Sequence, residues 1–123
     1  MTKVLLVDDD ESNRVTMSVL LEEEGFDVKV AASLAEAESM LVAAGSEYDL
    51  FLLDHSLGDG FGTALIPEIR KRFPSAKVVA MSGSAGSELM MMKADAAVTK
   101  GLHFPEFLER LRAIGSTATR GSR

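Results

Sequence analysis

Apolar and polar positions along the chain follow two alternating periods. Val4-Leu5-Leu6-Val7 and Leu50-Phe51-Leu52-Leu53 are continuous apolar runs of strand length, the pattern of strands covered on both faces. Lys77-Val78-Val79-Ala80-Met81 and Ala96-Ala97-Val98-Thr99 read as two more strands, and Val28 and Val30, alternating with Asp27 and Lys29, as a shorter one. Between these runs the period becomes helical. Residues 12–24 carry Val15, Val19 and Leu20 at helical spacing, and Gly25 suits the helix C-terminus. Ser33 with Glu36 three residues on is a capping box. It opens a helix presenting Leu34, Ala37, Met40, Leu41 and Ala44 on one face, closed by Gly45. Helices are also predicted over 63–73, where Pro67 demands the first turn or a kink, over 85–92, and from about Pro105 to Ile114. The segment 58–62 reads as a loop. Five strands alternating with five helices predict an α/β domain, a doubly wound five-stranded parallel sheet with helices on both faces.

Composition narrows the class. The 123 residues suffice for one domain, placed at 1–114. The Gly/Ser/Thr/Arg-rich stretch 115–123 lacks an apolar face and is expected to be a disordered tail or the start of a linker. Cysteine is absent, which excludes disulfides, Cys-based zinc sites and thiol nucleophiles. No apolar run has the length of a membrane span, and the first strand begins too early for a signal peptide. The expectation is a cytoplasmic protein with no membrane partner.

The net charge of −6 argues against nucleic acid as a direct partner. Its distribution says more: residues 1–62 carry −11 and residues 63–123 carry +5. Four acids stand together at Asp8-Asp9-Asp10-Glu11, directly after the first apolar strand.

A doubly wound sheet binds ligands at the carboxyl ends of its strands. Asp8 and Asp9 follow the first predicted strand, Asp54 ends the third, Ser82 follows the fourth and Lys100 the fifth. Three carboxylates brought together repel unless a cation sits among them, and an all-oxygen donor set selects a hard ion such as Mg²⁺. A carboxylate is also a competent nucleophile toward phosphorus. The charge of a transferring phosphoryl group would then meet the metal, Lys100 and the Ser82 hydroxyl.

The order Val-Asp8-Asp9, Leu-Leu-Asp54, Met-Ser82-Gly83, Thr-Lys100 resembles the receiver domain of bacterial two-component response regulators, over residues 3 to about 114. The resemblance implies a flavodoxin-like receiver fold and Asp54 as phosphoacceptor, charged by a histidine kinase or phosphotransfer protein. It further implies Mg²⁺ held directly by Asp9, Asp54 and the Ser56 backbone carbonyl, with Asp8 acting mostly through water. Lys100 would pair with the phosphoryl group, Ser82 would be the switch hydroxyl, and Gly83 would leave room for phosphate. The output would be altered contact with a downstream protein effector.

The chain departs from the family pattern in several places. Gly101 follows Lys100 where the family usually has a cis proline. A non-proline cis bond costs about 2.5–4 kcal/mol, so a trans Lys100–Gly101 bond is expected. Ala97 stands where an aromatic is usual, Lys93 where Gly is common and Gly58 where Pro is common. Ser82 and Lys100 are about one helical turn closer in sequence than is usual for receivers. These departures leave open a degenerate receiver acting as a phosphorylation-independent interaction module. A phosphatase using an aspartyl phosphate is disfavoured, because the haloacid dehalogenase-like pattern wants a second Asp where Ser56 stands.

Other conspicuous residues have plainer readings. His55 adjoins the acceptor and is read as an exposed loop residue ahead of a modulator of dephosphorylation, and His103 as surface. Arg70-Lys71-Arg72 is a solvated helix face. Asp10 and Glu11 are acids favoured by a helix N-terminus. At least one of Met90-Met91-Met92 is expected to be exposed.

Overall fold

The two fully apolar runs become neighbouring central strands. β1 (Lys3–Val7) pairs in parallel with β3 (Leu50–Asp54), Val4 opposite Leu50 and Val7 opposite Leu53. In this computed structural model, which describes residues 2–43, 45, 47–82, 94–99 and 104–119, β2 (Asp27–Ala31), β6 (Lys77–Ser82) and β7 (Ala96–Thr99) complete a parallel sheet. Its order is β2-β1-β3-β6-β7. β4 (Ser56–Leu57) and β5 (Gly60–Phe61) form a separate antiparallel hairpin. Four α-helices lie among the described residues: α1 (Glu11–Glu23), α2 (Leu34–Val42), α3 (Ile66–Arg72) and α4 (Phe104–Thr119). The helix expected over 85–92, the Met90–Met92 run, His103 and the Lys100–Gly101 bond lie outside them.

Alternation along the strands divides the core in two. Leu5, Val7, Phe51, Leu53 and Val78 face α2 and α3 with Ala37, Leu41, Ile66 and Ile69. Val4, Leu6, Leu50, Leu52, Val79, Met81 and Val98 face α1 and α4 with Leu21, Phe107 and Leu111. The sheet is therefore covered on both sides, as all-parallel sheets are.

Local signals place the helices. Asp10 caps α1 through the Ser12 N–H. The turn after α1 is a Schellman arrangement in which Gly25 (φ 96°) donates to Glu22 and Phe26 to Leu21. Ser33 accepts from the Glu36 N–H, the first half of the expected capping box, while the Glu36 side chain accepts from the N–H of Ala32, one residue ahead of the cap, in place of the Ser33 N–H. A 3₁₀ turn at Gly62–Leu65 precedes α3, so Pro67 falls in the first α-turn, where its missing N–H leaves no bond unmade.

Three expectations are corrected. The inward face of α1 carries Met17 and Leu21, whereas Val15 and Val19 are 56% and 48% exposed. The loop over 58–62 contains the β5 strand and the start of the 3₁₀ turn. The last helix runs five residues past Ile114 to Thr119, so this part of the expected tail is helical. Once Phe107 and Leu111 anchor the helix, each further residue adds a hydrogen bond to an existing nucleus. Among the described residues no helix is long and apolar enough to cross a membrane.

Candidate functional site

Strand order reverses between β1 and β3: from β1 the chain passes outward to β2, then returns on the other side to β3. The carboxyl ends of these two strands open the crevice in which doubly wound sheets hold ligands. Asp8 immediately follows β1, where its N–H donates to the Ala31 carbonyl at 3.1 Å. Asp54 is the last residue of β3, in register with Met81.

Asp8, Asp9 and Asp54 each bring a carboxylate oxygen to this point, all within 4.8 Å of one another. Asp8 and Asp54 are buried and Asp9 is exposed. The Asp8 carboxylate accepts from the Asp10 N–H at 2.9 Å and from Asn13 Nδ2, and Arg14 Nη1 donates to the Asp8 carbonyl at 2.9 Å. Asp54 Oδ1 accepts from the Ser56 N–H at 3.4 Å. A donor set of three carboxylate oxygens, two from buried residues and one from an exposed residue, fits a small hard cation and offers nothing to a soft one.

The remaining predicted residues divide by position. Ser56 opens the β4–β5 hairpin two residues beyond Asp54. Ser82 ends β6 opposite Thr99 of β7, one strand from Asp54. Gly83 and Lys100, the next residue after each of these two, lie outside the described residues. Ala97 is exposed on β7.

His55 departs from its expected exposure. It is half-buried, its ring stacked on Phe61 at 5.0 Å between centroids, with Nδ1 enclosed and without a hydrogen-bond partner among the described residues. Its backbone donates to Met81 and accepts from Gly62, so the residue splices β3 to the hairpin.

Sequence reasoning missed Asn13, Arg14, Asp59 and Gly62. Asp59 accepts from the Leu34 N–H at 3.0 Å and the Ala35 N–H at 3.2 Å, tying the hairpin to the start of α2. These bonds, the Leu34 one foremost, hold its carboxyl below the usual 3.8. Asp59-Gly60 is a common turn dipeptide, a signal for the reversal but not for the cap. Nothing in the spacing marks Asn13, a polar residue one turn into a helix.

The sequence matches the response regulator receiver domain family over residues 4–112. It is 30% identical over 116 residues to the cell cycle transcriptional regulator CtrA of Caulobacter vibrioides, covering 91% of this chain and 49% of that protein. The chain thus spans about half the length of the curated relative it matches. Its fold is similar to a CheY-like response regulator receiver domain protein from Methanospirillum hungatei (TM-score 0.89, 26% identity, 98% of each chain). The response regulator TrrA of Thermotoga maritima is also similar. Its complex with Mg²⁺-BeF matches at TM-score 0.81 and 30% identity, covering 92% of this chain and 98% of that one. Its complex with histidine kinase ThkA matches at 0.78 and 29%, covering 92% and 97%.

Proposed function

Because the chain belongs to the response regulator receiver domain family, we propose that it is a phosphorylation-dependent signalling switch whose phosphoacceptor is Asp54. The observation that carries this reading is the convergence of the Asp8, Asp9 and Asp54 carboxylates at the switch point of the parallel sheet. Receiver domains are signalling domains and not enzymes turning over an outside substrate.

In the proposed reaction one carboxylate oxygen of Asp54 attacks phosphorus in a phosphohistidine of a histidine kinase or phosphotransfer protein. The phosphorus–nitrogen bond breaks, its electron pair stays on the imidazole, and the imidazole takes up a proton. Burial of Asp54 at the end of β3 fixes the attacking oxygen and limits water at the acyl phosphate that forms. Asp9, Asp54 and the Ser56 carbonyl would hold Mg²⁺, with Asp8 acting through water. When bound, the ion would neutralise charge on the phosphoryl oxygens. Lys100 and the Ser82 hydroxyl would supply the remaining donors, and Gly83 the space. The Mg²⁺-BeF and kinase complexes of TrrA support the metal and the donor. The output is altered contact with a protein effector in the cytoplasm, with no direct nucleic-acid or membrane ligand.

Ala97, exposed on β7 where the family usually carries an aromatic, favours a second reading, a receiver that binds its partner whether or not it is phosphorylated. One experiment separates the two. Acetyl phosphate with Mg²⁺ labels the wild-type chain, and Asp54→Ala abolishes the label; an unlabelled wild type overturns the first reading.

A further inference from the structure

Asp8 is the one fully buried member of the acidic triad and is anchored by three groups. The Asp10 N–H binds Oδ1, Asn13 Nδ2 binds Oδ2, and Arg14 Nη1 holds its carbonyl. Asp9 is exposed, and among the described residues no hydrogen bond engages its carboxylate. Two adjacent acids of identical chemistry are therefore in different conditions. One carboxylate is open to solvent, and the other has both oxygens engaged by donors from the start of α1.

Asn13 has no structural need to be polar on account of its own helix. It lies on the same stripe as Met17 and Leu21, four and eight residues on, which pack into the core. An apolar residue would continue that stripe. The amide is explained by what it meets, because a buried carboxylate oxygen without a donor is costly.

We propose that Asn13 is a positioning residue for the metal site: by fixing the plane of the Asp8 carboxylate, it makes Asp8 an outer, water-bridged partner of the cation and leaves direct ligation to Asp9 and Asp54. This inference rests on the Mg²⁺-binding reading above. Ligand orientation by outer partners is worth about 10–100-fold in metal affinity at well-ordered sites. With Asp8 held outside direct ligation, the lower end applies.

The test uses the full chain with Mg²⁺ alone as the probe, in wild type, Asn13→Leu and Asn13→Ser. Calorimetry gives the Mg²⁺ dissociation constant, far-UV circular dichroism the melting temperature without metal, and acetyl phosphate labelling the Mg²⁺ dependence of the rate. Asn13→Leu is expected to raise the dissociation constant and the half-saturating Mg²⁺ for labelling about tenfold, with the rate at saturating Mg²⁺ changed less than threefold. Asn13→Ser, which retains a donor, is expected to recover part of the affinity. A dissociation constant within twofold of wild type in a folded Asn13→Leu overturns the proposal, as does an Asn13→Ser indistinguishable from Asn13→Leu. A wild type that binds no Mg²⁺ overturns instead the reading on which it rests.

Discussion

Gly62 sits against the backbone of Asp54 so closely that a Cβ at position 62 would lie 2.1 Å from the Asp54 carbonyl oxygen and 3.3 Å from the Leu53 Cβ. The obstacle is the main chain of β3, which cannot rotate away as a side chain tip can. Gly62→Ala is therefore expected to cost about 2–3 kcal/mol, the upper range for overpacking. Urea unfolding measures it, and a midpoint equal to wild type would show that the hairpin yields.

The triad predicts stability lost to function. Asp9 is exposed, yet its oxygen lies within 4.8 Å of those of Asp8 and Asp54. Without metal, Asp9→Asn should raise the melting temperature by a few degrees, since about 1 kcal/mol of relieved repulsion corresponds to about 3–6 °C for a chain of this size. In Mg²⁺ the order should reverse, because metal at a hundred times its dissociation constant adds about 2.7 kcal/mol to the wild type and less to the variant. Melting curves in chelator and in saturating Mg²⁺ give both signs.

Asp59 predicts a pH response at the start of α2. Its carboxyl is held below 3.8 in the folded protein by the Leu34 and Ala35 N–H groups. The unfolded chain thus binds the proton more readily. The cap's contribution is complete above pH 3.8 and is lost as pH falls through the lowered folded value. The Leu34 and Ala35 amide resonances should titrate together in this acid range, and Asp59→Asn should remove that inflection. An inflection that survives the substitution would assign it to another group.

The two apolar stripes of α1 should answer differently to truncation. Leu21 is fully buried against the sheet, so Leu21→Ala is expected to cost about 2–5 kcal/mol. Val15→Ala and Val19→Ala, on the exposed stripe, should each stay within about 0.5 kcal/mol of wild type. Equal losses at Leu21 and Val19 in denaturant unfolding would contradict the helix orientation.

The contrast within α1 shows where sequence reasoning stops. Val15 and Val19 form one apolar stripe, Met17 and Leu21 another, and helical spacing alone weights them equally. The inward stripe begins with Asn13, whose polarity disguises it, because its neighbour is a buried carboxylate five residues earlier. Likewise the acid at Asp59 reads as part of a turn, and only the approach of α2 makes it a cap.

The sheet, the order of its elements and the acids at its edge were legible in the chain's pattern. Apolar runs of four or five residues that alternate with amphipathic stretches suit strands buried on both faces, capping residues act within one turn, and parallel connection of alternating elements places every strand's carboxyl end on the same side. Tertiary structure alone decided which α1 stripe faces inward, that His55 stacks on Phe61, that Gly62 must stay small, and which of two adjacent aspartates is tied down. Those outcomes depend on how a strand end or loop folds back on the element beside it, even where the partners are only five residues apart, and local periodicity carries no information about which groups will meet.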